Sequence, residues 1–226
     1  MELTIKPFVE KSLEINNTIL RVFEEKLCLP PGSLLQRHLR DTRSTSEARC
    51  IKNPPKLTRG TPDEKEKVAL GAHTDFGSLS FLHNRLGGLQ VLPPGYDTWQ
   101  YVRPLPEHAI CNVGDALTLF SGGILRSNLH RVVPPPGEQA FHTRWSLVFF
   151  TRPGDDVKLS ALSEESVLVA EAVEKMTSEE RAKYEPNVAA KDWFSRRIKN
   201  QRLNNRTVSS LLSQFFDTCI LICFHF

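Results

Sequence analysis

Gly71-Ala72-His73-Thr74-Asp75-Phe76-Gly77, followed far downstream by Ser127-Asn128-Leu129-His130-Arg131-Val132, supplies two imidazoles and one carboxylate. Two histidines and a carboxylate fill one face of an octahedron and leave the other open, which is what a mononuclear non-haem Fe(II) centre needs to activate O2. In an extended segment side chains alternate, so His73 and Asp75 point to one side and Thr74 faces away. The third ligand, His130, must come from another strand. The intervening chain is long enough for several short strands and turns, so a folded sheet can return it to the same spot.

A second pair follows. Arg144-Trp145-Ser146 opens the apolar run Leu147-Val148-Phe149-Phe150, which reads as a buried strand with Arg144 and Ser146 on one face. A planar guanidinium grips a carboxylate in two places, and a neighbouring hydroxyl adds a third hydrogen bond. Iron beside a carboxylate clamp points to a keto-acid co-substrate. Each residue also has a plainer reading. An isolated His-x-Asp can be a turn in which Asp caps a loop, His142 competes with His130 as third ligand, and Arg144 can pair with Glu138 at the surface. The Ser-x-x-His-Arg-Val-Val setting favours His130, and an arginine at the mouth of an apolar strand favours a buried anion.

Composition bounds the class. The chain has 226 residues, 40% apolar and 24% charged, enough for one sizeable core in a soluble globular protein. A net charge of +3 is small, and the basic cluster Arg196-Arg197-Ile198-Lys199 reads as the solvated side of a helix, so no nucleic-acid face is expected. Five cysteines at irregular spacing form no disulfide framework and no Cys-x-x-Cys pair, which fits a reducing compartment. Met1-Glu2-Leu3-Thr4-Ile5-Lys6-Pro7 is not a secretory signal, so a cytoplasmic location is expected.

Residues 8–28 place Ile15, Ile19, Val22, Phe23 and Leu27 at helical spacing. Pro30-Pro31 ends that helix, and Ser33 is expected to cap a short one running to about Arg40. Short apolar runs separated by Pro and Gly follow at 68–72, 79–83, 89–92, 100–102, 109–112, 117–120, 130–133 and 145–151. They predict a mainly β fold, a double-sheet jelly roll. Helices are expected at 163–175, 178–184 and 191–200. Gly87-Gly88 and Gly122-Gly123 read as turns, Asp115 as a turn-fixing carboxylate, and Phe81 and His83 as candidate pocket residues.

His73-Thr74-Asp75, His130 and Arg144-Trp145-Ser146, set among Gly87-Gly88-Leu89-Gln90-Val91, Trp99 and Asn112-Val113-Gly114-Asp115, resemble the iron and 2-oxoglutarate dependent oxygenases over residues 8–206. Among these the isopenicillin N synthase-like branch, in its fungal form, is the most similar. The resemblance implies a double-stranded β-helix with helices packed outside and iron held by His73, Asp75 and His130. It implies that Arg144 and Ser146 hold the distal carboxylate of 2-oxoglutarate, and that O2 is consumed as the co-substrate is decarboxylated to succinate. The substrate would be a small organic molecule of specialised metabolism, undergoing hydroxylation, desaturation or cyclisation on a monomeric enzyme.

Four segments are expected: helical 1–48, a catalytic jelly roll at 49–160, C-terminal helices at 161–206 and an atypical apolar tail at 207–226. Departures from the family pattern keep two alternatives open, an iron oxidase that needs no 2-oxoglutarate and a catalytically silent binding protein. An N-terminal portion usual in the family is absent ahead of residue 8, and Asn53 stands where an aromatic residue commonly precedes Pro54-Pro55. The tail, interrupted by Gln214 and Asp217, is short for a membrane span and is expected to be a poorly packed extension, in which Cys219 and Cys223 make too weak a pair for a metal site.

Overall fold

The computed structural model describes residues 2–55, 69–184, 186–204 and 221–225. Alternation along the strands divides the interior into two regions. In Leu79–Asn84 (β3), His108–Val113 (β6) and Arg144–Thr151 (β8), the side chains of Ser80, Leu82, Ile110, Asn112, Arg144, Ser146, Val148 and Phe150 line a cavity. Their neighbours Leu79, Phe81, Cys111, Val113 and Phe149 turn to the opposite face and join the main apolar core.

That core is closed by α1 (Glu2–Lys26), whose Ile19, Leu20 and Phe23 are buried in it, as is Leu27 just beyond the helix end. Val22, expected on this face, is instead 47% exposed, and Leu20 is fully buried. The buried stripe follows the i, i+3, i+4 rows through Leu20, Phe23 and Leu27, which leaves Val22 facing away.

Pairing is antiparallel throughout. The larger sheet runs β1 (Glu47–Asn53), β8, β3, β6 and β11 (Leu221–His225). The smaller runs β2 (Leu70–His73), β7 (Leu129–Val132), β4 (Leu89–Leu92) and β5 (Gln100–Tyr101). The chain passes back and forth between them: β1, β3, β6 and β8 belong to one, and β2, β4, β5 and β7 to the other. Both sheets line a cavity of about 220 Å³, the expected jelly roll with flanking helices. A two-stranded ribbon, β9 (Lys158–Leu159) with β10 (Val188–Ala189), ties α5 (Ala190–Asn204) to the body.

Several local expectations are corrected. Leu117–Phe120 is the last part of the helix α2 (Asp115–Phe120) rather than a strand, with Ala116, Leu117, Leu119 and Phe120 all buried. Burial on every side removes the periodicity that would have identified it. Ser33 does not cap the short 3₁₀ turn Leu35–His38. The buried carboxylate of Glu24 takes that role from a distance, accepting Gly32 N at 3.0 Å, Leu34 N at 2.7 Å and Leu35 N at 3.0 Å. Ser166 caps α3 (Val167–Glu174) by accepting Val169 N, and α4 covers Ser178–Tyr184. Of the tail, residues 221–225 pair with β6, Leu221 opposite Asn112 and His225 opposite His108, while Cys219 and the remainder lie outside the described residues.

Candidate metal centre

His73 closes β2 and His130 lies directly opposite it on β7. Between the pairs Leu70–Val132 and His73–His130 the β2 strand carries one extra residue, a bulge that turns His73 toward its partner. The imidazole centroids are 4.3 Å apart. Strand structure stops at His73, so Asp75 reaches the same spot from the loop that follows, where its Oδ1 stands 3.9 Å from His73 Nε2 and 3.7 Å from His130 Nε2. These separations are too long for hydrogen bonds, and one ligand atom from each of the three residues lies within 4.8 Å of the others, close enough to share one ion.

The second nitrogen of each ring decides what it offers. His73 Nδ1 is 2.8 Å from Gly71 O and His130 Nδ1 is 3.0 Å from Asn128 O. A carbonyl only accepts, so each Nδ1 carries the proton and each Nε2 presents a lone pair to the centre. Burial, with His130 beside it, lowers the pKa of His73 and keeps that ring neutral. Asp75 is oriented in the same fashion. Its Oδ2 accepts from Ser80 Oγ at 2.6 Å and Asn112 Nδ2 at 3.1 Å, leaving Oδ1 for a cation. Burial acts to raise its pKa, but His130, Ser80, His73 and Asn112 together outweigh this and hold the carboxyl below the ordinary range. Two imidazoles and a charged carboxylate on one side of an apolar cavity suit a divalent iron.

Ser80 and Asn112 face each other in the β3–β6 register. Their role was not read from the sequence, although Asn112 opens the Asn-Val-Gly-Asp landmark. Asp115, expected to fix a turn, has a wider reach. Its amide donates to Asp75 O at 2.8 Å, its carboxylate accepts from Thr74 Oγ1 at 3.0 Å, and Arg197 of α5 forms an ion pair with it. Burial raises its pKa against the pull of Arg197. The Arg197 guanidinium also lies 4.7 Å from the Phe76 ring centroid and 5.3 Å from that of Trp193. Helix α5 is thereby fastened to the loop that carries Asp75.

At another wall of the cavity Arg144 is 2% exposed. Its Nε donates to Gly87 O at 2.8 Å and its Nη1 to Ser146 Oγ at 2.5 Å, while Nη2 has no hydrogen-bond partner among the described residues. Burial lowers the pKa of this guanidinium. A buried donor left over on a charged group calls for an anion, and a carboxylate of a bound dicarboxylic acid fits. The surface pairing with Glu138 considered from sequence is not what holds Arg144. Gly88, at φ +101°, would place a Cβ 2.4 Å from Val133 O, so glycine is required where the chain wraps around this arginine. Asn53 lines the same cavity, paired with Arg144 across β1 and β8.

Neither Phe81 nor His83 lines the cavity. Phe81 is in the main core, and His83 packs edge-on to Phe8 with ring centroids 5.5 Å apart. Strand alternation gives the inward positions to Ser80 and Leu82 instead. His142 follows the 3₁₀ turn Gly137–Phe141 and is not among the cluster of potential ligands.

The 2OG-Fe(II) oxygenase superfamily profile matches residues 43–153, the span that carries all five of these side chains. A 2-oxoglutarate-dependent dioxygenase of Aspergillus fumigatus is 36% identical over 166 residues, covering 66% of this chain and 42% of the relative. The 2-oxoglutarate-dependent dioxygenase iboH of Amanita muscaria is 33% identical over 148 residues, covering 65% of this chain and 69% of the relative. The chain thus spans well under half of the Aspergillus relative's length. The crystal structure of a full-length Neurospora crassa protein in complex with alpha-KG and thymine superposes with a TM-score of 0.72 at 21% identity, over 88% of this chain and 56% of that one, a likeness of fold. With one third of aligned positions identical across more than two thirds of iboH, and the profile matched over the jelly roll, this chain belongs to the 2OG-Fe(II) oxygenase superfamily.

Proposed function

We propose that the protein is an Fe(II)- and 2-oxoglutarate-dependent dioxygenase acting on a small organic molecule of specialised metabolism, a reading supported by fungal relatives that are named 2-oxoglutarate-dependent dioxygenases. The observation that carries this reading is the pairing of two sites in one cavity: three preoriented ligand atoms, and a buried arginine with a nitrogen to spare. His73 and His130 would hold the iron through Nε2 and Asp75 through Oδ1. Arg144 and Ser146 would take the far carboxylate of 2-oxoglutarate. When bound, the iron and its keto acid supply an O2-dependent oxidation in which 2-oxoglutarate becomes succinate and CO2.

The protein's own part is placement and exclusion. Gly71 O and Asn128 O fix the imidazole tautomers, and Ser80 and Asn112 fix the carboxylate, so little reorganisation accompanies metal binding. Arg144, itself anchored by Gly87 O, sets how far the co-substrate reaches across the cavity. Leu82, Leu89, Val91, Ile110, Val132 and Val148 make the remaining walls apolar, which excludes water and strengthens the charge interactions inside. Outcome at carbon, whether hydroxylation, desaturation or ring closure, would be set by which substrate bond these walls hold nearest the metal.

A monomer working in the cytoplasm completes the proposal. Cys28 and Cys50 are exposed free thiols, and no helix among the described residues is long and apolar enough to cross a membrane. The test is anaerobic addition of Fe(II) and then 2-oxoglutarate, followed by visible absorption. A weak charge-transfer band that is absent in His73→Ala and reduced in Arg144→Ala is expected. Iron binding with no band at any 2-oxoglutarate concentration would instead favour an oxidase that uses Arg144 for its own substrate.

A further inference from the structure

The cavity lining contains two guanidiniums, Arg49 and Arg144, and one carboxylate, Asp75. On the function proposed above, a divalent iron and a dianionic keto acid cancel each other, and Asp75 offsets Arg144. One positive charge is then left, and it belongs to Arg49.

Arg49 is on β1, on the same face as Ile51 and Asn53, which also line the cavity. Its side chain is 51% exposed, so it stands at the mouth rather than the base. Its guanidinium carbon is 5.3 Å from the centroid of Phe150, a cavity residue, and that of Arg152 is 5.5 Å from the same ring. Both arginines turn to a single acceptor. Glu47 Oε1 is 2.6 Å from Arg49 Nη2 and 3.0 Å from Arg152 Nη2. One carboxylate shared by two guanidiniums leaves a net positive charge beside an aromatic wall. Arg152 is tied further to Thr45 O, with its side chain only 9% exposed, so Arg49 is the member able to serve a ligand.

We propose that the organic substrate bears a carboxylate on an apolar body, and that Arg49 is the specificity-determining residue that seats this carboxylate at the cavity mouth, beside Phe150. The inference rests on the function proposed above for the identity of the first two occupants. The apolar body lies along Ile51, Leu82 and Val148, and the carboxylate compensates the positive charge left on Arg49 by the sharing of Glu47 with Arg152. Arg49 is far enough along β1 from Asn53, opposite Arg144, for the two anion sites to be separate.

The test uses the whole chain loaded with Mn(II) in place of iron. Two acid–amide probe pairs are titrated, 3-phenylpropionate with 3-phenylpropionamide and hexanoate with hexanamide, with and without saturating 2-oxoglutarate. Binding is read by calorimetry. The wild type is expected to prefer at least one acid over its amide by about tenfold or more, as a charge-assisted hydrogen bond at a half-exposed site provides. Arg49→Gln should reduce that preference to near unity, and Arg49→Lys should restore most of it, while 2-oxoglutarate affinity stays unchanged in both. Equal binding of acid and amide, no binding of any probe, or a preference that survives Arg49→Gln overturns the inference. Failure of the underlying function shows separately, as absence of Arg144-dependent 2-oxoglutarate binding, and the acid–amide comparison without 2-oxoglutarate still decides whether Arg49 is an anion site.

Discussion

Lowering the pH from 7 to 5 should destabilise the fold through one residue outside the cavity. His38, at the end of the 3₁₀ turn, is 9% exposed, with Nδ1 2.7 Å from Leu34 O and Nε2 2.6 Å from Ser78 Oγ. Burial is the main reason its pKa falls from 6.5 to about 4. The folded state therefore resists protonation that the unfolded chain accepts, so the contribution to stability is complete above pH 6.5 and is lost as the pH falls toward 4. Proton linkage over that shift gives a loss of about 2 kcal/mol by pH 5 and about 3 kcal/mol by pH 4. The consequence reaches the site, because Ser78 belongs to the loop that follows Asp75 and its carbonyl accepts Gly114 N at 2.9 Å.

The assay is urea unfolding of the wild type and His38→Gln at pH 7, 6 and 5. Subtracting the two curves removes the other titrating groups, His73 among them, that both proteins share. The wild type should lose about 2 kcal/mol more than the variant between pH 7 and 5. A difference between the two proteins that does not change with pH would refute the reasoning, because it would mean that His38 does not titrate differently on folding.

Other substitutions test the site and its supports. Arg144→Gln should weaken 2-oxoglutarate binding by about 10- to 100-fold, the worth of a lost charge-assisted pair, with Fe(II) affinity unchanged when measured by calorimetry. Asp75→Ala should abolish tight Fe(II) binding, whereas Asn112→Ala, which frees only one bond to Oδ2, should reduce it by about tenfold or more, as lost orienting contacts do. Gly114→Ala would set a Cβ 2.2 Å from Gly77 O and 3.0 Å from Asp75 O, so metal affinity should fall together with the melting temperature. Glu24→Ala strips three amides of a charged acceptor and should cost about 2–4 kcal/mol of unfolding free energy in urea.

The candidate site was legible because its chemistry sits on a strand pattern. Arg144-x-Ser146 keeps a period of two on β8, and the apolar run after Ser146 marks it as an interior strand; the spacing His73-x-Asp75 pairs the two residues as well, although strand structure ends at His73 and Asp75 comes from the loop. Where an element carries no such contrast the reading failed. Strand β1 alternates Arg49, Ile51 and Asn53 with Cys50 and Lys52, so its inward positions look no more apolar than its outward ones. The four residues Leu117–Phe120 are too few to separate a buried strand from a buried helix. Contacts between distant positions were invisible for a different reason: Glu24 serves Leu35 eleven residues on, and Asp115 meets Arg197 across 82. Neither pairing leaves a local signature, because the carboxylate and its partners become neighbours only when the chain is folded.

Strand β8 forms a boundary with different duties on its two sides. Arg144, Ser146, Val148 and Phe150 face the cavity, and Phe149 fills the core beneath α1. Its identities can be exchanged one at a time, but its length cannot change. One residue inserted or deleted after Arg144 would swap the two sets, put Leu147 and Phe149 where the hydroxyl and its apolar neighbours now stand, and turn Ser146 away from the cavity. Variation in this part of the protein should therefore accumulate as replacements, with insertions and deletions confined to the turns on either side.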